Sequence, residues 1–219
     1  FVTFFKKEQV LAFRNFGSFL NDYSFMVATP YVFYIMMSIF ASVDRNSLGN
    51  ILMIVFSLTI ILMMATASNT ASASAITSEG AEFGLLKMAP GKTHYMAWAK
   101  ILFNVLFSTF MIVISYLLLI NLNQRIQDVT ALYVMMIASI FINIGLIFWS
   151  FQIDLLDPRL SEYASTGALA HQKNYSQSIK IGFSWTLLLS LLYILFFFDK
   201  HSSVTFTYVK ILAVAIIFF

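Results

Sequence analysis

The sequence predicts an all-α, polytopic membrane protein, on three observations. The chain has 219 residues, of which 60% are hydrophobic and only 11% charged, where a soluble domain carries about 25% charged residues. Uncharged stretches such as Leu48–Ile76 and Ile101–Asn123 reach or exceed the roughly 18–20 residues that cross a bilayer as a helix. These runs do not alternate in polarity as the strands of a membrane barrel do. About six spans are expected, with an interfacial helix at the N-terminus and a further helix in one polar loop. Cysteine is absent, which excludes disulfides and thiolate metal sites. The net charge of +3 carries no nucleic-acid signal. Beginning at Phe1 and ending inside the run Ile211–Phe219, the sequence is expected to be a piece of a longer chain.

Residues 1–22 read as an amphipathic helix. Phe4, Phe5, Leu11, Phe13, Phe16 and Leu20 recur at a roughly helical period against Lys6, Lys7, Glu8, Arg14 and Asn15. Such a helix lies in the membrane interface, or else is the tail of a preceding span. The first span is expected near 23–43, kinked at Pro30 because proline removes a backbone donor. A short turn, Asp44–Ser47, makes the second span, near 48–70, its antiparallel neighbour. That span runs into ATASNTASASA (Ala65–Ala75), where nearly every side chain is small. Small residues suit close helix approach; the other reading is a helix end leaving the bilayer.

Thr77–Lys92, TSEGAEFGLLKMAPGK, is a polar island with two acids and two lysines between two uncharged runs. It is expected to form a helix of its own. Ser78 caps it and Glu79 and Glu82 occupy its first turn, where acids favour the positive end of the helix dipole. Lys87 lies near the other end and Pro90-Gly91 stops it, while Phe83, Leu85 and Leu86 supply apolar contacts. The third span follows near 97–120, a polar loop at 121–128 and the fourth span near 129–153. The second large polar loop, Asp154–Lys180, carries Asp157, Pro158, Arg159, Glu162, His171 and Lys173. The fifth span is expected near 181–198 and the sixth near 204–219.

Orientation follows from the 13 lysines and arginines. Nine fall on one side (Lys6, Lys7, Arg14, Lys87, Lys92, Lys100, Arg159, Lys173 and Lys180) and four on the other (Arg45, Arg125, Lys200 and Lys210). The N-terminal helix, the island and the Asp154–Lys180 loop are therefore expected in the cytoplasm.

Several motifs fail on inspection. Gly91-Lys92-Thr93 resembles the end of a phosphate-binding loop, but Leu86 stands where that loop needs its first glycine. His94, His171 and His201 have no metal-ligand spacing. No Ser/His/Asp set or intramembrane carboxylate pair speaks for hydrolysis, and the first five spans carry no charge near their middles, against ion-coupled transport. The polar residues in the spans include Asn104, Ser108, Ser115, Asn143 and Thr186. They hydrogen-bond helix to helix, or line a path for an amphiphilic substrate.

Ile76-Thr77-Ser78-Glu79-Gly80, then Phe83, Leu85-Leu86-Lys87 and Pro90, then Ala99-Lys100 heading a new span, resemble a pattern of bacterial ABC-transporter permeases of the type-2 exporter superfamily. That pattern is roughly S-x-E-G, an aromatic, L-L-K, a proline and an A-K. Asp154, Asp157-Pro158, Leu160 and Asn174 resemble the same family's acidic, proline-containing cytoplasmic loop. Gly84 departs from the pattern, standing where a larger residue is expected. The resemblance implies a permease subunit that hydrolyses nothing and binds no cofactor itself. A separate ABC ATPase subunit would hold ATP and Mg, the permease working as a homodimer or pseudo-dimer among the lipids of the bacterial cytoplasmic membrane. It implies that the island, 77–92, is the cytoplasmic coupling helix. Phe83, Leu85 and Leu86 would fill a groove on the ATPase, and Glu79, Glu82 and Lys87 would fix orientation at its rim. Against this stand a plain connector lying on the membrane surface and, for the whole chain, an ATP-independent secondary carrier or a structural membrane protein.

Overall fold

Long apolar runs fold as helices because a backbone in apolar surroundings can satisfy its polar groups only within a helix or a closed sheet. The computed structural model describes residues 1–14, 16–40, 47–80, 83, 93–122, 129–161, 172–199 and 203–219. Every regular element among them is helical. Helix α1 spans Val2–Arg14 and α2 spans Phe16–Phe40. Helix α3, Ser47–Ser68, tightens into a 3-10 stretch, Asn69–Ser74, followed by a 3-10 turn at Thr77–Glu79. Then come α4 (Thr93–Leu122), α5 (Val129–Leu156), α6 (Gln172–Phe198) and α7 (Val204–Phe218).

Among the described residues, four helical stretches are long and apolar enough to cross a membrane: Ile51–Ser74, His94–Asn121, Val129–Leu156 and Lys173–Phe198. They point to a membrane-embedded protein. Helix α7 is apolar but has 15 residues, about 22 Å at 1.5 Å per residue, short of a ~30 Å hydrocarbon core.

Several boundaries differ from expectation. Phe16–Asp22, expected within the N-terminal amphipathic helix, belong to α2. Helix α2 runs through Pro30, with the Thr29 hydroxyl donating to the Phe25 carbonyl at 2.7 Å just below it. Helix α5 extends to Leu156 and takes in Asp154, placed in the loop by the sequence pattern, because the carboxylate finds its partners inside the protein. Helix α6 starts at Gln172, not Ile181, since Asn174, Tyr175 and Ser178 in its polar opening turns bond inward. The small-residue stretch does not leave the fold: Asn69, Thr70, Ser72, Ala73 and Ser74 are buried, packed on α5 and α6.

Helix α3 is central, flanked by α2, α5 and α6; α4 packs on α2 and α5, α7 on α5, and α1 on α4. The apolar stretch of α3 is 61% buried and that of α5 56%, against 33% for α4 and 28% for α6. The outer faces of α4 and α6 carry exposed Leu106, Phe110, Leu187, Leu191 and Leu195. Faces of that kind suit lipid better than water.

Apolar burial gives little drive between helices already in lipid, so packing and polar joints hold them together. Gly182 of α6 lies so close to α3 that a Cβ there would collide with the Thr66 methyl. Thr59 bonds Ser190 at 2.6 Å, joining α3 to α6, and the Tyr116 hydroxyl sits between Ser57 and Ser139 at 3.4 and 3.2 Å, joining α3, α4 and α5.

Candidate functional site

The island grows from a junction where the ends of four helices meet. The second 3-10 turn begins at Ile76 and Thr77, whose N–H groups have no partner within a turn so short. The Asp154 carboxylate, reaching from the last turn of α5, accepts from both, at 2.6 and 3.1 Å. It also accepts from the Thr77 hydroxyl and, at 3.2 Å, from the Asn174 amide at the start of α6. Asp154 is fully buried. A lone buried carboxylate is costly; four donors, two of them backbone N–H groups, offset that cost. The network continues outward. Asn174 donates to the Asp157 carbonyl at 3.3 Å, the Arg159 N–H donates to the Thr77 hydroxyl at 3.2 Å, and the Tyr175 hydroxyl donates to Ser74 at 3.1 Å. Asp157 itself is exposed and pairs with Arg159 and Lys173 at 3.4 and 3.6 Å.

A second fastening lies one turn on. Glu79 pairs with Lys100 of α4 at 2.8 Å and with Lys7 of α1 at 3.2 Å, and Lys100 pairs with Glu8 of α1 at 3.3 Å. The two acids and two lysines form a neutral cluster in which Glu79 and Lys100 are only 7% and 10% exposed at the side chain. Burial alone would push the Glu79 carboxyl up; Lys100 and then Lys7 outweigh it and hold the group below the ordinary carboxylate value. Gly80 ends the turn at φ 53, the left-handed region that favours glycine. Each residue of the turn thus has its own physical part: Thr77 supplies a hydroxyl partner, Glu79 centres the ion cluster and Gly80 makes the left-handed turn.

Of the residues expected to touch a partner, Ser78 is exposed and donates back to the Ala75 carbonyl at 3.2 Å. The carboxylate of Glu79, expected at the rim of a docking groove, is turned into the chain's own ion cluster. Phe83, expected to fill a groove on the ATPase, is half-buried and packs against the cluster of Ala75, Ile76, Ile101, Ile147 and Phe151. Glu82, Leu85, Leu86, Lys87 and Pro90, and with them most of the expected coupling helix, lie outside the described residues. In the second loop, the structure brings Asp154, Asp157 and Arg159 together around Thr77 and Asn174, with Pro158 in the bend between them.

Among the polar residues of the spans, Asn104, Ser108 and Asn143 join neighbouring segments, and Ser115 and Thr186 bond within their own helices. Asn104, Ser108, Ser115, Asn143 and Thr186 are each at most 2% exposed. Asn104 donates to Ser72 at 2.5 Å, Asn143 donates to Ser108 at 2.8 Å, and Asn69 donates to Asn143 at 3.2 Å. Ser115 and Thr186 bond the carbonyls of Met111 and Gly182 in their own helices. The sequence pattern gives no bonding role to Thr77, Lys7, Glu8, Asn69 or Tyr175. The legible signals are the Lys-Glu pair on the inner side of α1 and an aspartate closing an otherwise uncharged helix; pairings across 70 or more positions leave no local trace.

The chain matches no protein-family model, no curated protein and no solved structure.

Proposed function

We propose that the chain is the membrane-spanning permease subunit of an ATP-driven ABC exporter. It has about six spans in the cell membrane, its long polar loops are cytoplasmic, and a separate ATPase subunit holds ATP and Mg. The observation that carries this reading is the double fastening of the island's root. When nucleotide closes a pair of ATPase subunits, a helix seated on each transmits the displacement only if its root does not yield. Here Asp154 ties Ile76 and Thr77 to α5 and α6, and Glu79 ties the next turn to α1 and α4. A push on the island therefore reaches four helices at once. Phe83, Leu85 and Leu86 are the residues assigned to the ATPase groove, Phe83 at the island's foot, where the side chain also packs on the bundle. The direct test is Leu86→Asp in the reconstituted complex. It leaves the chain folded and inserted and removes the permease's influence on ATP hydrolysis; unchanged coupling contradicts the assignment.

One observation favours a second reading, a carrier or structural membrane protein that works without ATP. The buried amides and hydroxyls of α3, α4 and α5 are engaged with one another, as in a packed scaffold. Transport in vesicles that persists without ATP and collapses with an ion gradient supports the carrier. Transport that stops when ATP is withheld supports the exporter.

A further inference from the structure

A groove of about 350 Å³ lies between α4 and α5, within the size range of small-molecule sites. Its floor is Ile101 and Phe151, both buried and both part of the cluster that grips Phe83. Trp98 and Phe148 stand over the floor in edge-to-face contact, ring centroids 5.9 Å apart. The polar lining is confined to His94, in the first turn of α4, and Gln152, near the end of α5. Ile101 and Phe148 lie one to two turns deeper along the same helices. Apart from Leu155 at its mouth, the groove is thus amphipathic along its length, with His94 and Gln152 at the island end and apolar side chains toward the middle of the spans.

Both walls belong to helices that are long and apolar enough to cross a membrane. Trp98 is 52% and Leu155 55% exposed, so the groove opens sideways, where a bilayer surrounds the chain. Apolar space left unfilled forfeits its contacts, and a tryptophan at the end of a span marks the level of the lipid heads. We infer that this groove is a lipid-binding site that takes one acyl chain of a bilayer phospholipid, with the polar head at His94 and Gln152. The inference needs only the membrane placement of α4 and α5, and stands apart from the ATP-driven reading.

The test uses the full chain in non-ionic detergent, with Trp149→Phe and Trp185→Phe leaving Trp98 as the last of its three tryptophans. The probe is phosphatidylcholine with brominated acyl chains, which quenches nearby indoles. Quenching saturates near one lipid per chain, and Ala97→Phe, which fills the groove, abolishes the saturable phase. His94→Ala combined with Gln152→Ala weakens the midpoint about three- to tenfold, the worth of a lost hydrogen bond to the head. If Ala97→Phe does not insert, Leu155→Tyr at the exposed mouth obstructs the same groove, adds no indole and leaves His94 and Gln152 in place. Quenching that rises linearly, as in a chain that keeps only Trp149, overturns the site. Protection of Trp98 that follows protein concentration instead of lipid assigns the groove to a second copy and overturns it equally.

Discussion

Asp154 fastens three segments to one another, because four donors, from Ile76, Thr77 and Asn174, converge on the one carboxylate at the end of α5. Asp154→Asn keeps its shape but turns an amide NH₂ toward groups that are themselves donors. With its oxygen on the Ile76 and Thr77 N–H groups, the new amide turns its NH₂ on the Thr77 hydroxyl and the Asn174 amide, and at least one of these loses its acceptor, at about 1–3 kcal/mol. In a chain of 219 residues each kcal/mol moves the melting midpoint about 2–4 °C, so a fall of roughly 5 °C is expected in detergent. Thr77→Ala and Asn174→Ala share that carboxylate, and their combined effect is less than the sum of the two. Glu79 makes a pH prediction. Its folded carboxyl titrates below the unfolded value, which is about 4.3. Its stabilising contribution is present in full above that unfolded value and is lost as pH falls through the lower folded value. Melting midpoints measured from neutral to acidic pH therefore decline less steeply in Glu79→Gln than in the native chain. An acid limb of unchanged slope assigns the decline to other carboxylates.

Among the elements, the long helices are legible in the sequence and their joints are not. Uncharged runs dictate α3 to α6 almost by length alone. The ends of α5 and α6 depart from the sequence pattern because Asp154 and Asn174 are polar residues of the kind that close a span, yet here they bond inward, to each other and to Ile76, Thr77 and the Asp157 carbonyl. The small-residue stretch suits both close packing and a helix end leaving the bilayer, two readings that are compatible; contact with α5 and α6 shows the close packing. The same closeness gives a prediction at Gly182. Gly182→Ala drives a methyl into Thr66 and destabilises by about 1–3 kcal/mol, as overpacking does. Thr66→Ala in the same chain removes the colliding methyl and recovers much of the loss. Thermal midpoints of the two single variants and the double variant check this; a double variant less stable than either single variant contradicts the geometry.

At the scale of the molecule, the helices converge on one end, and that end carries the island. The sequence pattern locates the island, and the motif Thr77-Ser78-Glu79-Gly80 is legible as a unit, but not why its residues are those. The reason lies in partners far off in the sequence, Lys7 on α1, Lys100 on α4 and Asp154 on α5. The proposed orientation is open to test because the chain has no cysteine of its own. Single cysteines at exposed Ser161 and Ser203 should react with a membrane-impermeant thiol reagent from opposite sides, Ser161 from the cytoplasm; labelling of both from one side contradicts it. The central claim, that the island is the seat of an ATPase, is met most directly by purifying the full-length protein from its native host in mild detergent and identifying what accompanies it. The account predicts a stoichiometric soluble ATPase with a phosphate-binding loop, lost when Leu85 and Leu86 are changed to aspartate. A chain that arrives alone, in a detergent that keeps known transporter complexes together, contradicts it and leaves the island as a helix on the membrane surface.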